Sequence, residues 1–159
     1  AIVIEALVQT SFSLASRRIG ALIVLERYGK LGEYIEAATR IDAVVSEALL
    51  TSIFHPTSPL HDGAVIIRED RILAAKAFLP LTLSKDISRF MGTRHRAAIG
   101  LTEETDAAVL LVSEERGTVS LVVNGRINPC RDANELRETM QEILHSTGST
   151  TSDATQLES

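Results

Sequence analysis

Two pairs of apolar runs, each joined by a tight turn, constrain the fold of this chain most strongly. GAVIIRED at 63–70 is followed at once by RILAAKAFLPL at 71–81, and AAVLLVSEE at 107–115 is followed by TVSLVVNGRI at 118–127. Strands joined by such short turns run antiparallel, because a parallel crossover needs about a dozen residues or more. The chain therefore cannot form a purely parallel sheet.

Helical patterns lie between these strand pairs. Residues 2–17 form an amphipathic pattern, and residues 46–55 begin with Ser46, a candidate N-cap, and end before Pro56. The run GALIVLER at 20–27 has the length and the lack of alternation of a strand that is covered on both faces. The sequence therefore predicts a single-domain α/β fold, with a mixed parallel and antiparallel β-sheet flanked by helices.

The end of the chain divides into a helix and a tail. RDANELRETMQEILHS at 131–146 predicts a helix whose N-cap is Asp132 and whose apolar side chains share one face. From Thr147 onward the chain is rich in Ser and Thr, so it cannot bury enough apolar surface to offset the entropy of ordering. We expect residues 1–146 to form one domain and residues 147–159 to form a disordered tail.

Composition narrows the class of protein. A chain of 159 residues suffices for one domain with its own core. The net charge of −5 argues against a surface that binds nucleic acid, and the single cysteine, Cys130, excludes an internal disulfide. No run reaches the roughly 18 apolar residues that span a bilayer. Because the chain starts on Ala inside a helical pattern, we expect it to be a fragment of a longer protein.

The first polar cluster precedes the strand at 63–70. In PLHDGAVII, the residues His61, Asp62 and Gly63 stand directly before an apolar run. Asp-Gly is a common turn signal, so these residues can simply turn the chain into the strand. The same three residues can equally belong to a ligand site, and the segment alone leaves both interpretations open.

A second polar cluster stands where a loop enters a helix. In MGTRHRAAIGL at 91–101, a Gly-Thr pair is followed by Arg94 and Arg96 and then by apolar residues. A helix N-terminus binds anions, and its dipole disfavours cations, so an anionic ligand such as phosphate would explain the two arginines. The alternative is a solvated basic turn that pairs with carboxylates.

A third cluster, Ser113, Glu114 and Glu115, follows the run at 107–112. These residues are either polar turn residues of a hairpin, or a hydroxyl and two carboxylates that contact phosphate or a divalent metal. The phosphate-loop motifs GxxxxGK[ST] and GxGxxG are absent from the sequence, and so are the hydrolase motifs GxSxG and HExxH.

Taken in order, DGA at Asp62-Gly63-Ala64 and RHR at Arg94-His95-Arg96 resemble the two signature motifs of the diadenylate cyclase (DAC) domain family. The surrounding PLHDGAVII, GTRHRAA and VSEE are similar to its membrane-anchored CdaA type, and the resemblance covers residues 1–146. It implies a DAC-type fold and a nucleotidyltransferase that condenses two ATP molecules into cyclic di-AMP, a bacterial second messenger, and releases two pyrophosphates. Each domain would present one ATP across a face-to-face homodimer.

The resemblance also implies roles for individual residues. The catalytic set would be the six residues of DGA and RHR, with Asp62 near the attacking 3′-hydroxyl and Gly63 allowing backbone to approach the nucleotide. The triphosphate would contact Thr93 and the RHR residues. The remaining positions are Ser113 and Glu114 for phosphate, Phe78 and Leu79 for adenine, and His61, Asp62 and Glu115 for Mg²⁺ or Mn²⁺. For Phe78, a place in the strand core remains an equal alternative.

The family further implies a location and partners. The domain would lie at the cytoplasmic face of the bacterial cell membrane, in a membrane-anchored protein that contacts a membrane regulator and phosphoglucosamine mutase. Two other function classes stay open: a nucleotide-binding sensor that has lost turnover, and an interaction module without a ligand. The intact Asp62 and RHR motif argue against the sensor, because a sensor is free to lose either one.

Overall fold

The structure, a computed structural model, describes residues 2–86 and 91–144. Five helices and seven strands form it. The helices are α1 (Ile2–Ser16), α2 (Gly32–Ala37), α3 (Glu47–Phe54), α4 (Thr93–Glu104) and α5 (133–144), and the strands are β1 (Ala21–Leu25), β2 (Thr39–Val44), β3 (Ala64–Arg68), β4 (Arg71–Ala77), β5 (Ala108–Ser113), β6 (Thr118–Val123) and β7 (Arg126–Cys130).

All seven strands belong to one sheet, in the order β2-β4-β3-β1-β5-β6-β7. Strands β1 and β3 pair in parallel, and every other neighbouring pair is antiparallel. This arrangement confirms the predicted mixed sheet and both predicted hairpins. Strand β1 lies at the centre and is buried along its whole length, as the unbroken apolar run indicated.

Helices cover both faces of the sheet. Alternate residues of β1 point to opposite sides: Ile23 belongs to a core shared with α1, α3 and α5, and Leu22 and Val24 belong to a second core shared with α2 and α4. The sheet is thus the middle layer of three, and α4, which carries the RHR motif, packs on the α2 side.

Two predicted helix caps are confirmed. The Ser46 hydroxyl accepts a hydrogen bond from the Leu49 N–H at 3.1 Å, and α3 ends two residues before Pro56. A carboxylate oxygen of Asp132 accepts from the Glu135 N–H at 2.8 Å at the start of α5. Each cap satisfies an N–H group that the helix itself cannot pair.

Three elements were not predicted. Helix α2 and strand β2 lie in a polar stretch, and β2 is an edge strand that is interrupted at Asp42, where φ is +57°. The turn predicted at Asn124-Gly125 is confirmed by φ values of +53° and +76°. The turn divides the run at 118–127 into the end of β6 and the start of β7. Strand β7, which pairs with β6, had not been predicted.

Two further expectations concern the ends of segments. The run at 71–81 forms a strand only as far as Ala77, and residues 78–81 leave the sheet. The predicted tail, 147–159, lies outside the described residues. Among the helices of the described part, none combines the length and the apolar character needed to cross a membrane.

Candidate active site

A cavity of about 630 Å³ opens at one edge of the sheet. Strands β1 and β3 begin at this edge, and β4 and β5 end there, because β1 runs parallel to β3 and antiparallel to β5. The N-terminus of α4 closes one side. The sheet topology therefore brings together segments that are far apart in sequence: the DGA segment, the end of β4, the RHR segment and the turn after β5.

Two residues of the DGA segment, Asp62 and Gly63, line the cavity, and Ala64 does not. Asp62 is exposed and lines the cavity, whereas Ala64 is fully buried in β3 and pairs with Ala77 of β4. A direct catalytic contact by Ala64 is therefore not supported. Its small side chain belongs to the core beneath the site.

Gly63 has a structural reason of its own to be glycine. Its φ is +91°, and a Cβ at this position would lie 2.8 Å from the Ala77 carbonyl oxygen. Side chains rarely adopt such a φ, and that separation is too short for a carbon. The structure therefore shows Gly63 in close approach to the backbone of β4, next to Asp62 on the cavity wall.

His61 stands beside the cavity but does not line it. Its Nδ1 lies 2.7 Å from the Ser58 carbonyl oxygen. Since a carbonyl can only accept, Nδ1 carries the proton and donates, which leaves the lone pair of the neutral ring on Nε2. A histidine held in this way is suited to bind a metal through Nε2.

The RHR segment forms the first turn of α4, as predicted. Gly92 is the N-cap and has no side chain that could pair the first N–H groups of the helix, and Gly92, Thr93, Arg94 and His95 all line the cavity. An anion that binds here would satisfy these donors and would meet the positive end of the helix dipole.

Arg96 does not share this position. It is absent from the cavity wall, whereas Arg94 and His95 belong to it. Two residues along an α-helix correspond to a rotation of about 200°, so Arg94 and Arg96 point to opposite sides. The expectation that Arg96 also grips the triphosphate stays a prediction, since its side chain does not line this cavity. The Arg96 carbonyl accepts a hydrogen bond from the Thr82 N–H at 3.0 Å.

Arg94 is held between the backbone and a carboxylate. Its Nη1 donates to Glu114 Oε1 at 3.3 Å, and its guanidinium lies against Gly20. The arginine side chain is 29% exposed and that of Glu114 is 57% exposed, so solvent screens this ion pair. The cation therefore stays accessible to a stronger anionic partner.

Burial disfavours the protonated form of His95. Burial lowers its pKa below the usual value of 6.5, and the positive charges of Arg116 and Arg94 lower it further, while the Glu115 carboxylate acts in the opposite direction. A neutral imidazole in this position can donate or accept a hydrogen bond.

The turn after β5 is a hairpin turn whose polar residues also line the cavity. Ser113 is buried, and its hydroxyl accepts from the Arg116 N–H at 3.3 Å, as expected of a turn residue. Ser113, Glu114 and Glu115 also all line the cavity. The turn therefore places one hydroxyl and two carboxylates opposite the N-terminus of α4.

Apolar residues form the remaining wall. Phe78 and Leu79 line the cavity, and because Phe78 is 65% exposed, the strand-core interpretation of Phe78 was wrong. This segment is attached to α4 by the hydrogen bond from Thr82 and by Gly100, where a Cβ would overlap the Pro80 carbonyl. Sequence reasoning missed several wall residues, of which Leu81 continues the apolar run. They are Leu22, Ala77, Leu81, Gly92, Ala97 and Val112.

The three predicted metal ligands do not converge into a preformed site. In residues 2–86 and 91–144, no group of three or more His, Cys, Asp or Glu side chains is arranged to hold a metal ion. Asp62 and Glu115 nevertheless line the same cavity, and carboxylate oxygens suit Mg²⁺ and Mn²⁺. These two carboxylates are donors that fit a hard cation.

Comparison with known proteins places the chain among nucleotide-binding domains. The family described as DisA bacterial checkpoint controller nucleotide-binding, or DAC, matches residues 8–127. Cyclic di-AMP synthase CdaA of Bacillus subtilis (strain 168) is 47% identical over 89% of this chain and 50% of its own length. A diadenylate cyclase of Listeria monocytogenes serotype 1/2a (strain 10403S) is 44% identical over 89% of this chain and 49% of its own length.

Solved structures agree with the fold. A crystal structure of a double mutant of DacA from Staphylococcus aureus superposes with a TM-score of 0.86 at 41% identity, covering 89% of this chain and 95% of that chain. The chain spans about half the length of the curated relatives it matches. The family match over residues 8–127, together with these identities, shows that this chain belongs to the diadenylate cyclase (DAC) family of nucleotide-binding domains.

Proposed function

We propose that this domain is a diadenylate cyclase that condenses two ATP molecules into cyclic di-AMP and two pyrophosphates. One observation carries the proposal: a single cavity holds the Asp62 carboxylate, the N-terminus of α4 and the Arg94 guanidinium. These are a group that can act on a hydroxyl and two that can bind a triphosphate. The names of relatives at 44–47% identity, a cyclic di-AMP synthase and a diadenylate cyclase, support the same activity.

ATP occupies the cavity with its triphosphate at the first turn of α4. Backbone N–H groups, the Thr93 hydroxyl and Arg94 bind phosphate oxygens, and Ser113 contributes a hydroxyl from the opposite side. The adenine lies against Phe78 and Leu79, where an exposed aromatic ring supplies a stacking surface. A volume of about 630 Å³ is within the range of small-molecule sites.

The reaction is two successive nucleotidyl transfers. In each, the 3′-oxygen of one ATP forms a bond to the α-phosphorus of the other, the bond to the β-phosphate bridging oxygen breaks, and pyrophosphate leaves. Asp62 accepts or directs the proton of the 3′-hydroxyl. The protein contributes mainly by positioning the reactants and neutralising phosphate charge, as in other phosphoryl transfers.

A divalent ion, Mg²⁺ or Mn²⁺, is the expected cofactor. Asp62 and Glu115 would hold it from the cavity wall, and His61, whose Nε2 keeps its lone pair, is the third candidate ligand. The bound ion would neutralise phosphate charge and stabilise the leaving group.

Two copies of the domain face each other in the active form. One cavity accommodates one ATP, and the product contains two nucleotides, so each copy presents its ATP to the other. Three exposed apolar side chains, Phe78, Leu81 and Leu83, stand on the segment that forms one cavity wall. Exposed apolar groups close together are suited to contact with a second copy.

The location and the further partners follow from the family. We place the domain at the cytoplasmic face of a bacterial membrane, in contact with a membrane regulator and with phosphoglucosamine mutase. A solved structure described as a hypothetical membrane spanning protein from Bacillus cereus, 43% identical with a TM-score of 0.75 over 80% of this chain and 62% of that chain, is consistent with the location.

Incubation of the protein with ATP and Mn²⁺ or Mg²⁺, followed by chromatography, tests the proposal. We expect cyclic di-AMP from the wild type and none from Asp62→Asn, which should still fold and bind ATP. ATP binding without product in either metal, at concentrations where the protein is dimeric, would establish the sensor instead. Unfolding of Asp62→Asn would show that Asp62 is a structural turn residue.

A further inference from the structure

Helix α1 ends on a residue with an unusual backbone conformation. The Arg18 N–H donates to the Ala15 carbonyl at 3.0 Å, and the Ile19 N–H donates to the Leu14 carbonyl at 2.9 Å. This pair of hydrogen bonds is the Schellman ending, which favours glycine at the position of Arg18. Arg18 adopts the required φ of +56° despite its side chain. Glycine would adopt this φ with less backbone strain than arginine does. The presence of arginine therefore indicates a role for its side chain.

That side chain reaches the turn after β5. Arg18 Nη1 donates to the Glu115 carbonyl oxygen at 2.7 Å, across a sequence separation of 97 residues. The guanidinium also lies against Gly117, whose φ is +64° and where a Cβ would be 2.8 Å from Arg18 Nε. The turn that carries Glu114 and Glu115 is therefore held from outside the cavity by an arginine of the α1–β1 connection.

The same connection supports Arg94. A Cβ at Gly20 would lie 2.5 Å from Arg94 Nη1 and 2.6 Å from Arg94 Cζ. The guanidinium thus rests directly on the backbone of residue 20, and its Nη1 donates to Glu114. The position of Arg94 is set by Gly20 on one side and, through Glu114, by the turn that Arg18 holds on the other.

We propose that Arg18 and Gly20 are positioning residues of the nucleotide site. Neither of them lines the cavity. Arg18 fixes the turn that presents Ser113, Glu114 and Glu115, and Gly20 leaves the space in which the Arg94 guanidinium lies. The proposal rests on the proposed function for its ligand, ATP. It implies that the end of α1 helps to position the side chains that contact the triphosphate.

Gly20→Ala tests the first half without changing any charge. The added methyl displaces the end of the flexible Arg94 side chain, and φ at residue 20 is outside the left-handed region, so the backbone tolerates alanine. We expect the Kd for ATP with Mg²⁺ to rise about tenfold, as for loss of a charge-assisted contact, with an unchanged melting temperature. Gly32→Ala is the matched control, because nothing lies within 4 Å of its added Cβ. Equal Kd values for wild type and Gly20→Ala would overturn this half.

Arg18→Gly tests the second half, since glycine suits the backbone conformation and removes only the side chain. We expect amide hydrogen exchange at Arg116 and Gly117 to accelerate about fivefold, as for loss of one hydrogen bond, and the Kd for ATP to rise by a similar factor. Arg18→Lys should restore part of both, because an ammonium group can donate to the Glu115 carbonyl. Arg17→Ala removes the same charge one residue earlier and should change neither. Unchanged exchange and Kd in Arg18→Gly would overturn this half.

These readouts separate the two proposals. Kd and exchange rates do not depend on turnover, whereas the proposed function is decided by formation of cyclic di-AMP in the wild type. A wild type that binds ATP without product, with the expected changes in both variants, contradicts the proposed function and supports the positioning roles. The opposite outcome is a wild type that forms cyclic di-AMP and has the same Kd and exchange rates as both variants. It contradicts the positioning roles and supports the proposed function.

Discussion

Arg94 and Glu114 form an ion pair inside the cavity, with 3.3 Å between Nη1 and Oε1. A triphosphate that binds at the start of α4 competes with this carboxylate for the arginine and is repelled by it. Under the proposed function, the pair would therefore set part of the affinity for ATP.

Glu114→Gln should consequently bind ATP more tightly. The amide keeps an oxygen that can accept from Arg94, so the arginine stays in place, while the negative charge that opposes the phosphates is removed. Because Glu114 is 57% exposed, we expect a modest effect, a Kd about threefold lower at low salt and indistinguishable from wild type near 1 M salt. Isothermal titration calorimetry at both salt concentrations measures this. Weaker binding would mean that the carboxylate itself contacts the ligand.

The two arginines of the RHR motif should differ in their contribution to ATP affinity. Arg94→Ala removes a cation from the cavity wall and should raise the Kd for ATP about tenfold or more. Arg96→Ala removes the same charge from the opposite side of α4 and should have the smaller effect. Measurement of both Kd values, with melting temperatures as a check on folding, decides the point. An equal or larger loss for Arg96→Ala would show that Arg96 also meets the nucleotide.

The difference between these arginines illustrates what the motif could and could not reveal. The sequence predicted that RHR begins a helix, and the structure confirms it. The helical period places alternate residues on opposite sides, so the presence of Arg94 in the cavity wall without Arg96 could have been predicted from geometry. The contact between Arg94 and Gly20 could not be predicted in this way. These residues are 74 positions apart in sequence and meet only through the order of strands in the sheet.

The fold shows the same division between local and long-range signals. Strong apolar runs predicted the central strands, and capping residues predicted α3 and α5. Strand β7 contains Asn128 and Pro129, which are poor strand formers, and it is tolerated because it lies at the edge of the sheet, where a missing N–H costs little. Strand β2 is the opposite edge, irregular at Asp42 and partly charged. Edge strands carry little of the apolar pattern from which strands are predicted.

Gly63→Ala should destabilise the fold rather than act only on the nucleotide. The change forces a side chain into φ of +91° and places a carbon 2.8 Å from the Ala77 carbonyl oxygen. We expect the free energy of unfolding to fall by about 2 kcal/mol or more, measured by urea denaturation in the absence of ATP. Gly32→Ala, where nothing lies within 4 Å of the added carbon, serves as the control for stability. An unchanged free energy of unfolding in Gly63→Ala would show that the glycine is needed only for contact with the ligand.

His95 should titrate below pH 6.5. Burial and the charge of Arg116 both disfavour its protonated form, so its pKa is lowered. Arg116→Ala should raise the pKa of His95 and Glu115→Gln should lower it further, which NMR titration of the imidazole can follow. A pKa lower in the folded than in the unfolded state means that protonation favours unfolding, so wild-type stability should decline as pH falls below about 6.5. His95→Gln should lack this part of the decline.

Glu5 and Arg137 join α1 to α5, and this pair predicts how the domain responds to acid. Arg137 donates from Nε and Nη2 to the two carboxylate oxygens of Glu5 at 2.8 and 2.9 Å. Hydrogen bonds from Arg137 and Gln9 lower the pKa of Glu5 from 4.5 to about 2. A carboxylate with a lowered pKa stabilises the fold fully above the unfolded value and loses that contribution as pH falls through the folded value. Wild type should therefore exceed Glu5→Gln in free energy of unfolding by a constant amount above about pH 5, and the difference should shrink toward pH 2. Urea denaturation across this range measures it, with Glu142→Gln, exposed on α5, as the control. A difference that does not vary with pH would show that the ion pair does not stabilise the contact between the two helices.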